Sequence, residues 1–83
     1  MIATQASVTT AAAVLVAAAQ QVRGCVLINR GTASVFLGGD NTVTSASFEL
    51  LAGASIGIDI PIGEAIWAIA ASGIQRVDIL RAG

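Results

Sequence analysis

From Cys25 onward the chain never runs far without a glycine-bearing turn, and that spacing limits what it can fold into. Turns fall at Asn29-Arg30-Gly31, Gly38-Gly39-Asp40-Asn41, Ala52-Gly53, Pro61-Ile62-Gly63 and Ser72-Gly73. Short apolar runs separated by turns at about 8–12 residues predict a sandwich or barrel, not a helical bundle. The runs themselves carry strand chemistry. Ser55-Ile56-Gly57-Ile58-Asp59-Ile60 alternates, with its isoleucines on one face and Ser, Gly and Asp on the other. Pro61 ends it, because proline has no N–H to give a ladder. Val77-Asp78-Ile79-Leu80-Arg81 alternates nearly as well. Cys25-Val26-Leu27-Ile28 and Ala65-Ile66-Trp67-Ala68-Ile69-Ala70 are apolar at consecutive positions. Both faces of those strands therefore call for cover, one from the domain core and the other from a neighbouring subunit.

The N-terminal third admits two readings. Residues 10–24 carry helix signals: strong alanine propensity, Thr10 as an N-cap, Arg23 in the last turn and Gly24 as a stop. The competing reading is an edge strand through residues 7–10 and 14–16, with a loop through 17–21. Local propensity by itself leans to the helix.

Size bears on how such a domain is stabilised. A chain of 83 residues makes one domain. It buries only roughly 60% of its unfolded surface, so it needs support from disulfides, a metal or oligomerisation. A single cysteine excludes an internal disulfide, and the absence of histidine argues against structural zinc. Oligomerisation remains. Charged residues are 11% of the chain, too few to solvate the outside of a monomer this small, so apolar surface should be covered by a neighbour. With a net charge of −1, no lysine, and arginines scattered at 23, 30, 76 and 81, the chain lacks the basic cluster that phosphate contacts require, so no nucleic-acid partner is expected. No membrane role is expected either. The longest uninterrupted apolar stretch, residues 11–19, falls well short of the about 20 that a spanning helix needs. A secretory leader would want Lys or Arg before that stretch, and residues 1–10 contain neither.

Catalytic chemistry has little to draw on. Without histidine there is no ready general base near neutral pH. Asp40, Glu49, Asp59, Glu64 and Asp78 read as solvated carboxylates on turns and polar strand faces. Cys25, inside Cys-Val-Leu-Ile, reads as a small buried hydrophobe. The Gly38-Gly39-Asp40-Asn41 turn lacks the Lys-Ser/Thr of a phosphate loop and the ligands of a calcium loop, and reads as a hairpin turn whose glycines permit positive φ. Aromatics are limited to Phe36, Phe48 and Trp67, few for a carbohydrate or single-strand platform. No enzymatic activity, cofactor or metal is expected.

One ordered pattern goes beyond composition. Arg23-Gly24-Cys25-Val26-Leu27-Ile28-Asn29-Arg30-Gly31 is followed by Ala33-Ser34-Val35-Phe36-Leu37-Gly38-Gly39, then Val43-Thr44, Leu50-Leu51-Ala52-Gly53-Ala54-Ser55-Ile56, Ala65-Ile66-Trp67-Ala68-Ile69-Ala70-Ala71-Ser72-Gly73 and Val77-Asp78-Ile79-Leu80. This order resembles a group of very small tailed-bacteriophage virion proteins, over nearly the whole chain. The resemblance implies a single domain over residues 1–83, a compact β-sandwich or jelly-roll-like module of about seven or eight short antiparallel strands. It implies an extended N-terminal arm or edge strand over residues 1–22 in place of a helix. It implies a structural, non-enzymatic capsid decoration protein on the exterior of the virion, assembled in the bacterial host cytoplasm. The partner would be the major capsid protein, and closed symmetry such as a trimer is the natural oligomer. The interface would use the apolar faces carrying Phe36, Phe48 and Trp67, with Arg23 and Arg30 at its rim facing carboxylates of the shell. The plainer reading of those arginines is a local salt bridge or turn solvation. A neck, tail-tip or fibre-base component would share the fold, and an exposed receptor- or glycan-binding module is the reading from another class.

Overall fold

A computed structural model describes residues 2–81, and among them it contains eight strands and no helix. The strands are β1 (Ile2–Val8), β2 (Ala13–Val16), β3 (Arg23–Asn29), β4 (Val35–Gly38), β5 (Phe48–Leu50), β6 (Ser55–Ile60), β7 (Ile66–Ala70) and β8 (Gln75–Arg81). They form two four-stranded antiparallel sheets, ordered β1-β8-β3-β6 and β2-β7-β4-β5. β1 pairs with β8, β2 with β7, β3 with β6 and β4 with β5, as in one long hairpin. Rolling that hairpin sends successive strand pairs to alternate sheets, which is the eight-stranded jelly roll. The all-β sandwich expected from turn spacing is the fold that forms.

Alternation sets which side chains meet between the sheets. Cys25 and Leu27 of β3, Val77 and Ile79 of β8 and Ile60 of β6 face inward from one sheet. Val35 and Leu37 of β4, Ile66, Ala68 and Ala70 of β7, Leu50 of β5 and Val16 of β2 face them from the other. The small β7 residues let the layers approach closely, and the domain is only 16 Å along its thinnest axis.

The N-terminal third is extended. β1 occupies residues 2–8, earlier than the 7–10 strand expected, and residues 9–12 form the turn into β2. Ala70 N–H donates to Thr9 O at 2.7 Å, tying this turn to β7. The Ala-rich stretch is strand at 13–16 and loop from 17 to 22. As a strand the segment buries Val16 and sets Val14 beside Trp67 on the neighbouring β7, with a bulge between Val14 and Val16, and this pairing overrides the alanine propensity. Gly53, Gly63 and Gly73 all have positive φ, so three of the glycine turns need glycine for backbone reasons. The Gly38-Asn41 turn differs from expectation. Neither Gly38 nor Gly39 has positive φ, and the chain makes a long loop, residues 39–47, before β5. Gly38 is needed for another reason: a Cβ there would lie 3.1 Å from Val43, which folds back over the outer face of β4.

Two buried amides brace one end of the sandwich. Asn29, at the end of β3, is fully buried; its Nδ2 donates to Ala33 O and Leu50 O, both at 2.9 Å, and its Oδ1 accepts from Gly31 N–H at 2.9 Å. Gln75 Oε1 accepts from Thr32 N–H at 2.8 Å and Ala33 N–H at 3.2 Å, while Nε2 donates to Ser72 O at 2.8 Å. A Cβ on Gly31 would come within 2.0 Å of Gln75 Oε1. Asn29→Ala and Gly31→Ala should therefore each cost about 2–3 kcal/mol, because buried backbone groups lose their partners. Asp78→Asn, which breaks only solvent-exposed ion pairs, should cost less than about 1 kcal/mol. Urea midpoints of the three variants check the ranking, and equal losses would mean the amides brace nothing.

Candidate interaction surfaces

The titratable groups do not assemble into a site. Asp78 accepts from Arg76 at 2.9 Å and lies 3.5 Å from Arg30, all on the outer face of the first sheet. Asp40 caps its own turn through Thr42, whose hydroxyl and N–H hold the carboxyl below its ordinary range. Among the described residues no three His, Cys, Asp or Glu side chains cluster closely enough to hold a metal. Cys25 is buried against the core, and that burial raises its thiol pKa despite the opposing fields of Arg23 and Arg81. A thiol of that kind is a poor nucleophile. No helix among these residues is long and apolar enough to cross a membrane.

Apolar surface is where the molecule has features: Val22, Leu51, Ile62 and Ile74 stand exposed singly in turns and loops, and three larger surfaces gather apolar side chains. The outer face of the β2-β7-β4-β5 sheet aligns Val14 opposite Trp67, Trp67 opposite Gly38 and Ile69 opposite Phe36. Phe36 and Val43 are buried on this face outside the inter-sheet core, while Trp67 and Ile69 are half-buried and Val14 is exposed. The outer face of the other sheet sets Leu80 beside Val26, both more than 40% exposed, with Gly57 next to Val26 and Ala3 next to Leu80. The third is a cleft of about 380 Å³ where the sheets part between β6 and β5. Leu37, Phe48, Ile56, Ile58, Ile60 and Ile66 line it, and Asp59 and Glu64 stand at it.

The five residues expected at one interface are dispersed among these places. Trp67 and Phe36 share the outer face of the second sheet. Phe48 stands opposite Leu37, on the core-facing side, and is 56% exposed at the cleft. Arg30 lies on the opposite outer face, bridged to Asp78, so its plainer reading is the observed one. Arg23 is not at a rim. It points inward at the end of the core, only 7% exposed, and its Nη2 donates to Ala17 O, fastening the 17–22 loop. Val26, Leu80, Ile56 and Ile58 add apolar surface beyond those five. Val26 sits in a run of consecutive apolar residues, and that is the signal that marks its outer face.

If Cys25 is a packing residue, its alkylation by iodoacetamide at pH 8 should run at least about a hundredfold slower than in the urea-unfolded chain. Its raised folded pKa has a sign as well. Above the ordinary thiol pKa of about 8.5 the unfolded chain ionises first, so stability should fall as pH rises through that range. Rapid labelling of the native protein would contradict the packing role.

Comparison of the chain with protein-family models, curated proteins and solved structures finds no match.

Proposed function

We propose that this protein is a non-enzymatic structural subunit of a bacteriophage particle, a capsid decoration protein that self-associates and binds where neighbouring subunits of the major capsid protein meet. The observation that carries the reading is the placement of apolar side chains on both outward sheet faces, Trp67, Ile69 and Val14 on one and Val26 and Leu80 on the other. A solitary domain gains nothing from that arrangement, and a subunit with several neighbours uses it. The jelly roll is an architecture that viral capsid domains employ, although lectins and cupins employ it too, so fold supports the reading only by analogy. The resemblance of the ordered strand and turn sequence to small virion proteins points the same way.

The mechanism is linkage. A protein that binds the assembled shell and not its separated subunits stabilises the assembly by mass action, and many weak contributions sum over a particle. The Trp67 face is the one assigned to the shell. It offers a half-buried aromatic side chain on the same face as buried Phe36 and Val43, the environment in which interface anchors work.

Quantitative mass spectrometry of purified particles tests the assignment. Copies in the hundreds, in fixed ratio to the shell protein, support decoration; a count near six or twelve moves the protein to a neck or tail; none removes the virion reading. Trp67→Ala should lower particle occupancy at least about tenfold at equal concentration of folded protein, while costing less stability than the about 3–5 kcal/mol of a fully buried Trp, since Trp67 is only half-buried. Normal occupancy would remove Trp67 from the contact.

A further inference from the structure

The β6 edge is unlike the rest of the sandwich. On the β1 side the layers are closed by the turn at residues 9–12 and its bond to β7. On the β6 side they part, leaving Ile56 and Ile58 half-exposed on their core-facing side and Phe48 exposed across the opening. The backbone of β6 is also half unused. Asn29 N–H donates to Ala54 O at 3.0 Å, and Arg30 N–H donates to Arg76 O at 2.8 Å. In an antiparallel ladder the pattern repeats every second residue, so the odd-numbered residues of β3 bond to β6 and the even-numbered ones to β8. Opposite Leu27, Cys25 and Arg23, the isoleucines Ile56, Ile58 and Ile60 thus spend their N–H and C=O groups on β3. Ser55, Gly57 and Asp59 direct theirs outward, and no backbone group among the described residues meets them.

We infer that this edge pairs with the β6 edge of a second copy, antiparallel about a two-fold axis at Gly57, joining the two first sheets into one. The register follows from the residues. With the axis at Gly57, the two glycines oppose each other and Ser55 opposes Asp59 of the second copy, so every outward donor and acceptor of the strand is used and each carboxylate meets a hydroxyl. Moving the axis to Ile58 sets Ser55 against Pro61, which has no N–H. Moving it to Asp59 sets carboxylate against carboxylate. Moving it to Ile56 sets Asp59 against Gly53, a left-handed turn residue outside the strand. On the inner side the Gly57 register brings Ile56 against Ile58 of the second copy as close, non-hydrogen-bonded pairs, covering the apolar side chains that the parted sheets expose. A two-fold seam makes the unit a dimer in place of the trimer expected as an example of closed symmetry.

The inference rests on the self-association in the proposed function, not on particle binding. A monomer in solution would overturn it and leave decoration standing, and absence from particles would do the reverse. Sedimentation velocity of the full chain, from micromolar to submillimolar concentration, is the test, with two variants at the exposed Ser55. Ser55→Asp, which faces Asp59 of the second copy twice per dimer, should raise the dimer Kd at least about tenfold, and Ser55→Lys should lower it several-fold. The double variant Ser55→Asp with Asp59→Lys should restore dimerisation. All three should keep the parent urea midpoint at concentrations where each is monomeric, since both side chains are exposed at the β6 edge of the monomer. A parent that stays monomeric throughout, or a dimer indifferent to both charges, would overturn the seam; the second result would place self-association on the Val26–Leu80 face or the β1 edge.

Discussion

Between β3 and β4 the chain leaves one sheet for the other, and the buried amides of Asn29 and Gln75 hold that crossing. Residues 30–34 cannot pair as strands, so their polar backbone groups need other partners. Asn29 takes Gly31 N–H, Ala33 O and Leu50 O, while Gln75 takes Thr32 N–H, Ala33 N–H and Ser72 O. One side chain thus reaches from β3 to the last carbonyl of β5, and the other joins the crossing to the turn before β8. Three loops at that end of the sandwich are fixed to one another by groups that are themselves fully paired. Apolar residues of the same shape would fill the space but leave those carbonyls and amides buried without partners.

With the crossing fixed, the layers meet through small and branched side chains, and the rest of the apolar content must go elsewhere. Strands β3 and β7 are central in their sheets and apolar on both faces. Their inner residues, Leu27 and Ala68 among them, complete the core, and their outer residues, Val26, Trp67 and Ile69, have only solvent or a neighbour. Exposed apolar surface on the strands is therefore a by-product of how the core is built. The loops are tied down: the 17–22 loop is held by Arg23 and by Gly63 N–H on Ala19 O, and the 39–47 loop is pinned by Val43.

Much of this was legible in the chain. The isoleucine alternation in residues 55–60 delimits β6, and glycines 53, 63 and 73 stand where a left-handed backbone is needed. What sequence could not give was pairing. Nothing local to Ser55–Ile60 says that it is an edge, since that depends on which strands arrive beside β3 from distant parts of the chain. For the same reason Phe36 and Phe48 look alike in sequence but end on opposite faces of one sheet, one buried by a returning loop and one left at an opening. Alanine propensity misled about residues 11–19 because it describes an isolated segment, and the strand at β2 is supported by Trp67 on β7. Asn29 reads as a turn residue and Gln75 carries no sequence signal, because polarity shows where burial is unexpected, not where it occurs. Arg23 read as a rim charge for the same reason.

The pairing of β1 with β8 also governs when the domain can come into being. Residue 2 lies opposite residue 81, and β8 sits between β1 and β3, so the first sheet has a gap at its centre until the final strand is present. On a ribosome, β1 and β3 emerge long before the strand that joins them, and folding must wait for the last of the eight to clear the exit tunnel. Closing so large a loop is entropically slow, which leaves the apolar segments of β3 and β7 uncovered for an interval in which they are open to aggregation or to chaperones. A cell that makes this protein in quantity is therefore exposed to its unfinished chains, and the rate at which β8 docks sets how many of them survive to become native.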